Sequence, residues 1–313
     1  MLDRSWHTHQ INLWIALSRF EPTFSNTLSE LGYECDVIED RLYIHDGDGN
    51  DIICPDVILT SDVDEHSLVI DCKSEEVDSD QLERYLRLYD REEQLVVQGL
   101  VREIDSETLS IDTVLSSFSN LSEKPIQNEF SIVHFDLAPY SGLSIWNAEE
   151  YQFNSESVSE SFPINVHPEQ PLPTGHYPYD IYEGDKEAMI SIVLSTIISL
   201  TMKEGEFSIE DILKQSHPYW NTLGENKKSE LYDRVEIIFH ELRRLGLDDY
   251  IEKIAGTEGR EWQRTSKTIQ AINRRTDFYV SRVIDELPQA RLDHDAWSTQ
   301  SFSNGSGSAS GED

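Results

Sequence analysis

Residues 52–73 read IICPDVILTSDVDEHSLVIDCK. Two apolar, β-branched runs, Ile52–Thr60 and Ser67–Lys73, flank the polar stretch Ser61–His66. That is the pattern of two strands joined by a turn. Side chains two apart on a strand share a face. Asp71 and Lys73 therefore point one way, and Ile70 and Cys72 the other. Antiparallel pairing through the 61–66 turn brings Asp56 beside Asp71. Two carboxylates at one point repel unless a cation lies between them. Hard oxygen ligands suit Mg²⁺ or Mn²⁺, and the peptide carbonyl of Cys72 is a further candidate ligand. An adjacent lysine can orient an attacking water and offset charge developing on a phosphoryl group.

Upstream, Leu13, Leu17, Phe20, Phe24, Leu28 and Leu31 recur every three or four residues. This predicts one helical face, ended by Gly32. Tyr33–Ile38 and Arg41–His45 read as strands in a hairpin-like arrangement about Glu39-Asp40, and Asp46–Asp51 as a turn. The Asp46, Asp48, Asn50 series lacks the Gly and Glu of a calcium loop, since Asp51 and Val57 stand in those places. Downstream, Asp80 and Glu83 suit a capping box opening a helix through Gln81, Leu82, Tyr85, Leu86 and Tyr89. Gln94–Val101 reads as a further strand, and so does Phe130–Leu137.

Pro55-Asp56 followed by Asp71-Cys72-Lys73 resembles the PD-(D/E)xK, or restriction-endonuclease-like, nuclease superfamily. Phe20-Glu21, with Leu28, Leu31 and Gly32-Tyr33 beyond, looks like the first helix of Mrr-type restriction endonucleases and Holliday-junction resolvases. Gln81 and Tyr85 resemble the QxxxY signature of RecB-type nucleases. The resemblance covers residues 9 to about 100. It implies an α+β fold with an αβββαβ core and a Mg²⁺- or Mn²⁺-dependent hydrolysis of DNA. Metal would be held by Asp56, Asp71, Glu21 and the Cys72 carbonyl, and Lys73, Gln81 and Tyr85 would complete the catalytic set. The chain departs from the pattern at Pro22, which a helix tolerates only in its first turn or at a kink.

Residues 1–150 are expected to form this nuclease-like domain, and 151–180, rich in Ser, Pro and Glu, a linker. Residues 181–290 read as a mainly helical, winged-helix-like domain. It has a helix start at Ser208–Asp211, an amphipathic helix over Ser229–Leu245 ended by Gly246, a hairpin over 250–265 and a last helix over Ser266–Leu287. A Ser/Gly tail over 291–313 is expected to be disordered.

The 313 residues carry 60 acidic and 25 basic side chains, for a net charge of −35. This balance opposes phosphate binding unless salt screens it. At 1 M salt the Debye length is only about 3 Å, so the composition points to a salt-in halophile, where local basic patches decide. Over half of the basic residues lie between Glu206 and Leu292. Arg260, Arg264, Lys267, Arg274, Arg275 and Arg282 form a candidate DNA-phosphate surface; the bland alternative pairs them with the protein's own carboxylates.

Cys35, Cys54 and Cys72 lack CxxC spacing and read as buried free thiols of a reducing cytoplasm. His7 and His9 could reach a metal, but histidines so near a terminus read as solvated. The polar N-terminus carries no leader signal. The apolar run Ala188–Met202 is too short to span a bilayer, which needs about 20 residues, so no membrane partner is expected. Partners beyond DNA are a homodimer or a larger defence or repair complex. The alternative to catalysis is an inactive nuclease-like regulator or complex subunit.

Overall fold

The structure is a computed structural model, and it describes residues 5–20, 24–46, 49–73, 79–101, 104–118, 130–138, 142–147, 153–166, 186–254, 262–265 and 276–286. The fold is α+β. The chain divides into two units: Met1–Tyr177 with Tyr219–Lys228, and Pro178–Pro218 with Ser229–Asp313.

In the first unit, α1 (Ser5–Leu17) and α2 (Thr27–Glu30) precede β1 (Tyr33–Ile38). The hairpin β2 (Leu42–Asp46) and β3 (Gly49–Ile53) follows, then β4 (Val57–Ser61) and β5 (His66–Lys73). Next come α3 (Ser79–Leu86), a 3-10 turn, α4 (Glu93–Val97), β6 (Ser110–Ser117), β7 (Ser131–Ala138), β8 (Gly142–Asn147), α5 (Glu156–Ser161) and β9 (Ile164–Val166). The seven-stranded sheet runs β1-β4-β5-β6-β7-β8-β9. Its pairs are antiparallel except β5–β6 and β6–β7, which are parallel. A parallel pair needs a crossover connection, and α3 and α4 supply one between β5 and β6.

Burial explains the layering. The C-terminal half of α1 is apolar nearly all round, with Ile11, Leu13, Trp14, Ile15 and Leu17 enclosed, as a helix inside a core must be. It lies on one sheet face, where the Trp14 indole meets Phe135 edge-on at 5.8 Å and donates to Ser116. On the other face Tyr85, Leu88 and Leu95 pack with Ile58, Val69, Ile111 and Leu115. The β2–β3 hairpin joins that layer through Leu42, Ile44 and Ile53. Gln94 of α4 and the C-cap Gln98 cover the hairpin's edge. The Gln98 side chain accepts from Tyr43 N–H at 2.9 Å and donates to Tyr43 C=O at 2.7 Å, and Gln94 accepts from His45 N–H at 3.1 Å.

Several expectations are corrected. The N-terminal helix ends at Leu17, where the Ser18 hydroxyl turns back onto the Ile15 carbonyl; Phe20 is 72% exposed rather than part of an apolar face. β1 does not pair with β2. It pairs with β4, and β2 pairs with β3, because Glu39 takes a left-handed turn (φ 50) that sends the chain away from the sheet. Ile52–Thr60 is two strands, since Pro55 has no N–H for a ladder. Asp56 N–H resumes the bonding, to Ile70 C=O at 2.9 Å. Gln94–Val101 holds α4 instead of a strand, with Val97 81% exposed. The linker expected over 151–180 contains α5 and β9; Ile164 and Val166 alternate inward and extend the sheet beside β8. Of the cysteines only Cys72 is buried, while Cys54 is exposed.

The second unit contains α6 (Lys186–Lys203), β10 (Glu206–Phe207), α7 (Ile209–Ser216), most of α8 (Glu225–Arg244), β11 (Ile251–Lys253), β12 (Trp262–Arg264) and α9 (Thr276–Glu286). Ser208 opens α7 with a reciprocal capping box to Asp211. Gly246, at φ +115, stops α8. β12 lies between β10 and β11. Phe239 sits against Phe207 and Trp262, and Arg243 stacks 4.1 Å over the Trp262 ring. No helix among the described residues is long and apolar enough to cross a membrane. The expected tail over 291–313 lies outside the described residues.

Candidate metal centre

The β4–β5 register puts Val57 opposite Ile70, so Asp56 stands next to Asp71 at the end of the ladder. One Asp56 oxygen accepts from the Cys72 N–H at 2.6 Å, and the other meets His7 Nε2 at 2.9 Å. Asp71 pairs with Lys73 Nζ at 2.6 Å across one strand face. The same ammonium donates to Gln81 Oε1 at 2.7 Å. Gln81 and Tyr85, four apart on α3, share a helix face. The Tyr85 hydroxyl is buried with no hydrogen-bond partner among the described residues.

Position explains each side chain. The parallel β5–β6 pair buries β5 on both faces, so the end of β5 carries polar groups into a largely enclosed space. Gln10 of α1 donates to the Lys73 C=O at 3.0 Å and accepts from Ser116 at 2.8 Å. It ties the strand end to α1, one helical turn from His7.

The electrostatics follow from this crowding. Burial and the Asp56 charge drive the Asp71 carboxyl up to about 7 even though Lys73 opposes them. Burial also resists ionisation of Asp56, but His7, the Cys72 N–H and Lys73 together hold it below the usual carboxylate range. Burial disfavours the charged His7 ring, and the Asp56 carboxylate outweighs it, so His7 is pushed up to about 9. The Cys72 thiol and the Tyr85 hydroxyl are both raised by burial and by nearby carboxylates, so both stay protonated at neutral pH. The Cys72 sulfur lies 3.5 Å from Ser116 Oγ, away from Lys73.

The structure thus brings together Asp56, Asp71, Cys72, Lys73, Gln81 and Tyr85. Glu21 lies outside the described residues. So do Arg260, Lys267, Arg274 and Arg275; Arg264 at the end of β12 and Arg282 on α9 are exposed. His7 was expected to be solvated and is instead bound to Asp56. Its ligand atom lies within 4.8 Å of those of Asp56 and Glu39. The signal for His7 was its spacing of three from Gln10 at the start of a buried helix. Nothing local marked Glu39.

The neighbouring carboxylates fit a hard divalent ion, which would have to move aside the Lys73 ammonium now on Asp71 and take over from the charged His7 ring now on Asp56. The like charges of Asp56 and Asp71 are what such an ion would relieve, and the donor set suits Mg²⁺ or Mn²⁺.

Residues 6–177 match the family profile described as the MJECL32 domain. Residues 182–295 match a second profile, described as a domain of unknown function, DUF8601. "Uncharacterized protein MJECL32" of Methanocaldococcus jannaschii is 25% identical over 214 residues, covering 64% of this chain and 47% of that protein. The chain thus spans about half the length of this relative. No solved structure matches. The first profile covers more than half of the chain, which belongs to the MJECL32 domain family.

Proposed function

We propose that this MJECL32-family chain is a divalent-metal-dependent nuclease that hydrolyses phosphodiester bonds of DNA. The observation that carries the reading is the convergence of Asp56, Asp71 and Lys73 at the joined ends of β4 and β5, with Gln81 gripping the lysine. The element order supports it: helix α1, strands β1, β4 and β5, helix α3, then β6 parallel to β5, with the β2–β3 hairpin inserted after β1. That is the αβββαβ order of restriction-endonuclease-like cores. In the second unit, the order α6, β10, α7, α8, β11, β12, with β12 between β10 and β11, supports a winged-helix reading, and with it DNA as the target.

Asp56 and Asp71 would hold the ion, which would supply Lewis-acid polarisation of a phosphoryl oxygen and acidify a water. Lys73 keeps a positive charge at the centre, where it can orient the attacking water and offset charge on the scissile phosphate. Gln81 fixes the ammonium, leaving Lys73 little freedom to swing away. Tyr85 remains a neutral hydroxyl at the site's floor.

A second reading has one observation in its favour: both Asp56 oxygens are already engaged, by His7 and by the Cys72 N–H. It makes the chain a DNA-binding regulator, or a defence or repair subunit, that does not cut. Digestion of linear, branched and single-stranded DNA and of RNA in concentrated KCl, with Mg²⁺, Mn²⁺ or EDTA, separates the two. Ion-dependent cleavage of DNA that disappears in Asp56→Asn and falls by roughly 10²–10³-fold in Lys73→Met is expected. Cleavage that survives both substitutions, or that proceeds in EDTA, removes this site from the reaction.

A further inference from the structure

The chain leaves the first unit at Tyr177 and re-enters it for Tyr219–Lys228. This returning segment docks on the turn after β1. Leu223 forms a parallel bridge with Ile38, and Gly224 N–H donates to Ile38 C=O at 2.9 Å. The approach is so close that a Cβ at Gly224 would lie 2.4 Å from the Glu39 carbonyl oxygen, so only glycine fits. One turn into α8 the segment delivers Lys227, 5% exposed, with its ammonium 3.0 Å from Glu39 Oε2. Glu39 is itself held at a left-handed backbone angle beside His7 and Asp56.

A buried ammonium is costly unless paired, and a merely structural pair would serve anywhere in the core. This one sits at the rim of the candidate centre, on the carboxylate whose oxygen lies within 4.8 Å of the His7 and Asp56 ligand atoms. His7, Glu39 and Asp56 alone are a set that could take a divalent ion. The His7 ring already matches the charge of Asp56, and Lys227 matches that of Glu39. A cation entering there must displace an enclosed ammonium that is covalently part of the chain.

We propose that Lys227 is a built-in counter-cation that keeps Glu39 out of metal binding and denies the His7–Glu39–Asp56 position to a second divalent ion. The inference deepens the metal-centre reading and rests on it for its biological meaning, but its test does not. Lys227 acts through Glu39, so it is a positioning residue rather than a catalytic one.

Mn²⁺ binding to the full chain, followed by the paramagnetic resonance signal of free Mn²⁺ at fixed KCl concentration, reads the effect. Lys227→Met should bind one more Mn²⁺ per chain than wild type, whatever number wild type binds. Adding Glu39→Gln to Lys227→Met should remove that increment. Asp71→Asn, measured alongside, should remove the wild-type ion, and its failure to do so would count against the metal-centre reading alone. No increment in a Lys227→Met protein that melts cooperatively overturns the counter-cation proposal. Lys227→Gln, polar and uncharged, is the second variant and should give the same increment. If neither variant folds, the lysine is a structural ion-pair partner and the proposal falls.

Discussion

Replacing Asp71 by Asn should make the ion-free protein respond differently to pH, and the size of the difference can be worked from the site. Burial and Asp56 raise the Asp71 carboxyl from its ordinary value of 3.8 to about 7. The folded chain therefore binds more protons than the unfolded chain between those values. Stability present below pH 3.8 is then lost as pH rises through 7. Each pH unit of separation is worth about 1.4 kcal/mol, so the full loss in wild type is ~4 kcal/mol. Asp71→Asn cannot ionise and should lack it. The readout is urea unfolding followed by tryptophan fluorescence in EDTA, from pH 4 to 8.5, with the two chains subtracted. His7 titrates in both, so its contribution largely cancels. The difference should move in favour of Asp71→Asn by up to ~4 kcal/mol across the window, and saturating Mn²⁺ at pH 8 should reverse it by stabilising wild type alone. A flat difference curve, or equal stabilisation of both chains by Mn²⁺, would refute the argument that Asp71 is a strained carboxylate waiting for a cation.

Lys73→Met should retain ion binding while cleavage falls by roughly 10²–10³-fold, the usual loss of one transition-state charge contact; loss of binding instead would make Lys73 a structural residue. His7, raised to about 9, stabilises the fold fully below its unfolded value of 6.5 and loses that contribution as pH rises through 9. His7→Gln should therefore lack a loss of at most about 3 kcal/mol that wild type shows over that range in alkaline denaturant titrations. Gly224→Ala forces a methyl against the Glu39 carbonyl and should cost about 1–3 kcal/mol in urea unfolding, the usual penalty of overpacking.

The acidic pair was legible because strand period and one short turn suffice to align Asp56 with Asp71. Lys73 followed from the same alternation, and Gln81 and Tyr85 from helical spacing. What stayed hidden depended on long-range contacts. His7 looks like any terminal histidine until α1 lies across the sheet ends. Glu39 and Lys227 meet only because the chain returns after a long excursion. Local patterns also misled where tertiary packing overrides propensity: Gln94–Val101 is β-branched and apolar, yet its register as a helix lets Gln94 and Gln98, four apart, reach the same hairpin edge. The β1–β2 pairing failed for a related reason, since neighbouring strands in sequence are separated in space by an inserted hairpin.

That pair of glutamines has a consequence for solubility. An unpaired strand edge is a template on which another copy of the chain can stack. Mutual repulsion ordinarily discourages such stacking in a molecule with a charge of −35, but in brine that repulsion dies within a few ångströms. The Gln98 amide occupies both hydrogen-bonding groups of Tyr43 as a neighbouring strand would. It protects the hairpin by a short-range, neutral device that dissolved salt does not weaken.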